Sequence, residues 1–192
     1  MRESEVKRVT NETDISCYVL LDSSLKCEID TGIGFFDHML QLMAKHGRMY
    51  MNLKAHGDLQ VDDHHTIEDC GIVLGKAFDK LLGDKGNIAR YGTFFCPMDE
   101  ALAMVSIDIS GRPYLVYDVD VEREKVGDMA VEMAKEFFYA FATHAGMTIH
   151  VRLLYGSNAH HCLEAIFKAF GHALKEAVKE SEDGVLSTKG VL

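Results

Sequence analysis

Two turns of one composition, DDHHTIEDCG at residues 62–71 and NAHHCLEAIF at residues 158–167, restrict this chain to folds that use one architecture twice. The surroundings of the turns echo each other in the same order. KHGRMYMNLKAHG answers THAGMTIHVRLLYG, and HHTIEDCGIVLGKAF answers HHCLEAIFKAFGHAL. A single short motif can recur by chance, whereas two motifs in the same order and element context point to a duplicated unit. In the first half, SEVKRVT and DISCYVLL are strand-like runs and FFDHMLQLMAKHG is a helix that stops at Gly47. MYMNLKAHG then reads as a strand and HHTIEDCGIVLGKAFDKLLG as a long amphipathic helix. In the second half, ARYGTFFCPM, ALAMVSIDIS and RPYLVYDVD read as strands, and DMAVEMAKEFFYAFATHAG as a helix. MTIHVRLLYG is a strand, and HHCLEAIFKAFGHALKEAV is the second long helix. The expected fold is α+β: one domain over residues 1–192, made of two repeats at approximately 1–86 and 87–192.

Composition removes several function classes. With 20 Lys and Arg against 30 Asp and Glu, the net charge of −10 opposes nonspecific binding to nucleic acid, which needs a cationic excess. A pocket with a few local cations still suits a small anion. No apolar run approaches the roughly 18 residues of a membrane span, and MRESEVKRVT lacks the apolar middle of an export signal. The five cysteines, an odd number without CxxC spacing, fit reduced thiols. The expectation is a cytoplasmic enzyme with no nucleic-acid or membrane partner.

The paired histidines carry the chemistry. On a helix, Glu68 shares a face with His64 or His65, and Glu164 with His160 or His161. Neighbouring residues diverge by about 100°, so two adjacent imidazoles do not easily grip one ion. The economical reading gives each imidazole a different site, so two turns imply two metal sites built from both halves or from different subunits. His38 precedes His46 by the interval that separates Glu136 from His144, which makes Glu136 the repeat counterpart of His38. Imidazole with carboxylate suits Mn, Fe, Co or Zn. A lone histidine is more often surface or satisfied core, and His46, His56, His150 and His172 are placed there.

Taken together, GIGFFDHML, DDHHTIEDCGIVLG, MDEALA, DISGRPYL, the second HH turn with EAIFKAFGHAL, and the terminal STKGVL resemble imidazoleglycerol-phosphate dehydratase from end to end. The resemblance implies a duplicated fold of the ribosomal protein S5 domain 2-like kind, each half a four-stranded sheet backed by two helices. It implies dehydration of imidazole glycerol phosphate to imidazole acetol phosphate in L-histidine biosynthesis, with two Mn2+ per active site. It also implies a homo-oligomer, a 24-mer built from trimers with active sites between subunits. Carried over by position, His38, His64, His65, Glu68, His160, His161 and Glu164 are metal ligands. One position departs: where the family commonly has EHFF, this chain has Lys135-Glu136-Phe137-Phe138. Glu136 is taken as the ligand there in preference to His144, which is about 12 Å further along the helix.

Glu12 is implied as the acid–base group by the resemblance alone. Arg90 and Arg112 follow the family's substrate-binding pattern. Lys168 stands one turn after Glu164, within reach of a ligand at the metal site. Ser187 and Lys189, in a tail expected to order over the substrate, add a hydroxyl and an ammonium for the phosphate. A ring held at both nitrogens becomes imidazolate-like near neutral pH and can expel the neighbouring hydroxyl through a diazafulvene-like intermediate. Two rivals remain in view. A di-iron bundle uses Glu-x-x-His on long helices and has no strands between them. A metal-dependent hydrolase shares the ligands and is set aside only by the whole-chain resemblance.

Overall fold

The computed structural model describes residues 2–182 and 184–190. The first half runs β1 (Glu3–Val9), β2 (Thr13–Leu21), β3 (Glu28–Asp30), α1 (Gly34–Gly47), β4 (Met49–Gly57) and α2 (His64–Leu82). The second runs β5 (Tyr91–Met98), β6 (Ala101–Asp108), β7 (Tyr114–Asp118), a hairpin of β8 (Lys125–Val126) and β9 (Met129–Ala130), α3 (Met133–Ala145), β10 (Thr148–Tyr155) and α4 (Ala159–Ala177). Each half carries a four-stranded sheet, in the orders β1-β2-β4-β3 and β5-β6-β10-β7. In each sheet the last pair is parallel and the others antiparallel. The alternating burial of β2, one residue in and one out, is that of a sheet with one face on a core.

The helices of each half lie on their own sheet and pair with those of the other half, α1 with α4 and α2 with α3. The result is four layers: sheet, helix pair, helix pair, sheet. Gly75 and Gly171 allow the close approach. A Cβ at Gly75 would lie 2.8 Å from the Phe141 carbonyl of α3, and one at Gly171 would lie 2.5 Å from the Met43 carbonyl of α1. Between the layers Phe36, Phe78, Phe137, Phe138, Phe141, Phe167 and Phe170 are fully buried, most of them edge-on or tilted to a neighbour. Burying such rings is the dominant favourable term holding the layers together.

The helical burial patterns of the halves coincide. In α1 the buried residues are Phe35, Phe36, Met39, Leu40, Met43, Ala44 and Gly47. Met133, Ala134, Phe137, Phe138, Phe141, Ala142 and Ala145 follow the same spacing in α3. His38 and Glu136 each directly precede the third residue of their series, so they occupy equivalent positions.

Two elements differ from expectation. DMAVE does not open α3; it forms the second arm of the β8–β9 hairpin, which turns at Gly127 (φ 60°) and Asp128. A two-residue turn with glycine in the left-handed region suits a tight hairpin. The acidic residue read as a helix start serves another helix. Asp128 accepts hydrogen bonds from Gly34 N (2.7 Å) and Phe35 N (3.0 Å), capping α1, whose own N-cap residue Ile33 has no capping side chain. Next along the hairpin, Ala130 N donates to Asp63, the N-cap residue of α2, at 2.6 Å. The second departure is β3, a three-residue strand held by parallel pairing with β4, too short to show a period in sequence.

Candidate functional site

Asn158 opens α4: its side-chain oxygen accepts from His160 N (2.9 Å) and His161 N (3.4 Å), placing the His pair on the first turn. His160 and Glu164 then face each other one turn apart, Nε2 to Oε2 at 3.1 Å. Packing of α1 across α4 brings His38 Nε2 to 3.6 Å from the same oxygen. The ligand atoms of His38, His160 and Glu164 all lie within 4.8 Å of one another. Two imidazoles and a carboxylate are a donor set that fits a borderline or hard divalent cation such as manganese. Lys168 Nζ sits 2.5 Å from the other Glu164 oxygen. Burial raises the Glu164 carboxyl, but the Lys168 ammonium and the His160 bond outweigh it and hold it below the usual range.

The first half repeats part of this. His64 Nε2 lies 3.7 Å from Glu68 Oε2, again one turn apart. Among the described residues, only the second turn gathers three ligand atoms so closely. Glu136, on α3 opposite α2, has no hydrogen-bond or ion-pair partner among the described residues. His144 uses Nδ1 to donate to the Ala140 carbonyl at 2.9 Å, and its Cβ packs where Gly75 leaves room. Gly75 lies seven residues beyond Glu68, about 10 Å down α2, so His144 stands at the wrong level of the helix pair.

The second histidine of each pair looks elsewhere. His65 Nδ1 lies 3.0 and 3.2 Å from the two oxygens of Asp58 and 3.8 Å from Glu12. His161 Nδ1 lies 2.7 Å from Glu100 Oε2. These carboxylate bonds raise both imidazoles above their usual value, and the His161 bond pulls the Glu100 carboxyl down to about 2. Within each pair the rings stand steeply to one another, at 70° and 80°. Glu100 and Asp58 were not singled out in the sequence. A signal for Glu100 existed: it immediately precedes β6 as Glu12 immediately precedes β2.

A second cluster forms elsewhere. Arg90, Arg112, Ser187 and Lys189 line a cavity of about 900 Å³ with Tyr91 and Ser110. Arg90, buried and at φ 71°, is fixed by Asp108 through Nε (2.7 Å) and Nη2 (3.2 Å), and its Nη1 donates to the Leu186 carbonyl. That last bond ties the tail to the pocket, and Gly190 N closes a turn on the Ser187 carbonyl at 3.0 Å. Arg112 is two-thirds exposed and 4.0 Å from Asp108, so it remains free to meet a ligand. Arg90 precedes β5 and Glu100 follows it, and a strand of that length separates its ends by roughly 25 Å. Lys168 belongs to the metal end, not to this pocket. His46 and His172 form a pair of their own, ring nitrogens 2.9 Å apart, with Phe94 stacked on His172 at 4.0 Å. No helix among the described residues is long and apolar enough to cross a membrane.

A family model described as imidazoleglycerol-phosphate dehydratase matches residues 31–174. Imidazoleglycerol-phosphate dehydratase of Acetivibrio thermocellus is 55% identical over 193 residues, covering 100% of this chain and 99% of the relative. That of Clostridium botulinum is 58% identical over 196 residues, with both chains covered in full. Among solved structures, the dehydratase of Staphylococcus aureus matches with a TM-score of 0.85 and 41% identity, over 93% of this chain and 99% of that one. The Pyrococcus furiosus structure matches with a TM-score of 0.86 and 43% identity, over 97% of this chain and 100% of that one. The four-layer fold, the His-His-x-x-Glu turns and these full-length matches agree, and the chain belongs to the imidazoleglycerol-phosphate dehydratase family.

Proposed function

We propose that this chain, one domain of two repeats at about 1–86 and 87–192, is a cytoplasmic hydro-lyase. It removes water from imidazole glycerol phosphate to give imidazole acetol phosphate in L-histidine biosynthesis. The observation that carries the reading is the cluster of His38, His160 and Glu164. These three would hold one manganese ion, and His64, Glu68 and Glu136 would supply ligands to a second. His65 and His161, turned away from the clusters of their own turns, complete sites with residues of other copies.

The separation of the two clusters supports sites shared between copies. A substrate made of one five-membered ring, a three-carbon chain and a phosphate cannot bridge roughly 25 Å. The Arg112 pocket of one copy therefore serves the metal centre of another, as a 24-mer of trimers would arrange.

When bound, the ions would supply positive charge beside the substrate ring, which would acidify it and neutralise charge that develops on it. The chain's own groups do the rest. Arg90, locked by Asp108, presents a fixed guanidinium, while Arg112, Ser187 and Lys189 close on the phosphate oxygens. Lys168 offsets the charge of Glu164. Glu12, half-exposed at the β1–β2 turn, gives a proton to the hydroxyl that departs from the carbon bound to the ring and takes one from the next carbon, which keeps its own hydroxyl. The enol that remains tautomerises to the ketone.

The purified protein is expected to form ketone from imidazole glycerol phosphate when loaded with Mn2+, and to lose that turnover when the metal is chelated. Turnover unaffected by chelation would remove the metal from the mechanism. No turnover at any metal loading would sink the reading.

A further inference from the structure

We propose that Glu100 is a positioning residue for the metal centre: its carboxylate holds His161 by Nδ1, so that Nε2 is the atom offered to the ion. Asp58 does the same for His65. The assignment rests on the metal reading above and adds residues that the family turns themselves do not contain.

Equivalent places in the two halves supply the argument. Glu12 and Glu100 both end the turn of a hairpin, directly before Thr13 of β2 and Ala101 of β6. Their surroundings differ. Among the described residues, the Glu12 carboxylate has one charged partner, His65, at 3.8 Å. The Glu100 carboxylate is saturated. One oxygen accepts from His161 Nδ1 at 2.7 Å, and the other accepts from Asn158 N at 2.8 Å, Ser157 N at 3.2 Å and Ser157 Oγ at 3.3 Å.

The reason for the difference lies one strand away. In the first half the residue after β4 is Asp58, whose two oxygens already hold His65. In the second half Gly156 answers Gly57, each facing the helix turn and the first residue of the neighbouring strand, so the counterpart of Asp58 is Ser157. Ser157 has no carboxylate to offer His161, and its N and Oγ bind Glu100 instead. The hairpin tip takes over the task. Glu12 stays free to move protons, and Glu100 does not.

The chemistry of the imidazole completes the case. A ring that donates Nδ1–H to a carboxylate is fixed in tautomer and orientation, leaving Nε2 as a basic ligand atom. Among the described residues, the partner of His161 Nε2 is the exposed Asp99 alone, at 3.8 Å, so that nitrogen is open to a ligand. By binding Ser157 and Asn158, Glu100 also fixes the loop whose Asn158 caps both histidines of the turn.

The test compares Mn2+ affinity and metal-dependent turnover in wild type, E100A, E100Q and E12Q, with assembly checked by sedimentation. Losing such a supporting carboxylate weakens metal affinity by about 10–100-fold. E100A is expected to show that loss and to regain turnover in excess Mn2+. E100Q, which still accepts from Nδ1–H, is expected to fall between. E12Q is expected to bind Mn2+ like wild type and to stay inactive at any concentration. Should E100A not assemble, E100Q and D58N are read instead, each against the same expectation of weakened affinity. Affinity equal to wild type in E100A, or in that case in both substitutes, overturns the assignment. So does an E100A protein that binds Mn2+ normally and is inactive beyond rescue, since Glu100 would then be moving protons. Wild-type protein that binds no Mn2+ overturns this assignment together with the reading beneath it, whereas equal affinities overturn this one alone.

Discussion

Glu136 stands where His38 stands in the other half, yet it carries a different charge. A neutral imidazole and a carboxylate both ligate manganese, but the carboxylate adds a negative charge to its ion and lowers that ion's pull on electrons. Its lack of any partner among the described residues leaves it available for a metal. His144 is bonded to Ala140 and sits about 10 Å down the helix pair. E136A is therefore expected to lose one of two bound Mn2+ ions, and E136H to keep both, as measured by metal analysis after dialysis. H144A is expected to keep both as well. Loss of an ion in H144A, with none in E136A, would reverse the assignment.

Among the elements, α1 depends on a residue outside its own half. Burial raises the Asp128 carboxyl, but its bonds to Phe35 N and Gly34 N outweigh that and hold it below the usual range. The sign follows: a lowered folded value stabilises above the unfolded value and is lost as pH falls through the folded one. D128A is expected to cost about 1 kcal/mol in urea unfolding at neutral pH, with much less lost in D128N, since Asn also caps. Equal stability of D128A and wild type would mean the cap contributes nothing.

The same residue shows where sequence reading stopped. The helices α1, α2 and α4, and the pairing of His160 with Glu164, were legible because they depend on spacing within one turn or one face. The hairpin that bears Asp128, the strand Glu28–Asp30, and the Asp58 and Glu100 contacts depend on chain brought from elsewhere, and no local period records them. DMAVE looked helical because an acidic residue before an apolar run is a common start signal. Here Gly127 spends that acid on a helix in the other half.

For the whole molecule, the organising fact is the distance between the cationic pocket and the His161 end of the β5–β6 hairpin. Subunits carrying H160A lack part of the metal centre but keep the pocket, and subunits carrying R112A the reverse. Each variant alone is expected to be inactive. Mixed assemblies, prepared by unfolding and refolding both together, are expected to recover a fraction of wild-type turnover, because some sites then draw an intact half from each copy. Mixed assemblies no more active than either parent would place the whole reaction within one chain.

The β8–β9 hairpin has a consequence in time. A ribosome releases α1 and α2 long before it reaches Asp128, which follows Gly34 by 94 positions. Until then the first helix lacks its cap, Asp63 lacks the Ala130 donor, and neither helix has its packing partner from the second half. A nascent chain stalled short of residue 125 should accordingly be digested by protease across both helices, and one stalled well past residue 177 should not. The first His-His-x-x-Glu turn is thus made early, and the helix that bears it gains its α3 partner late.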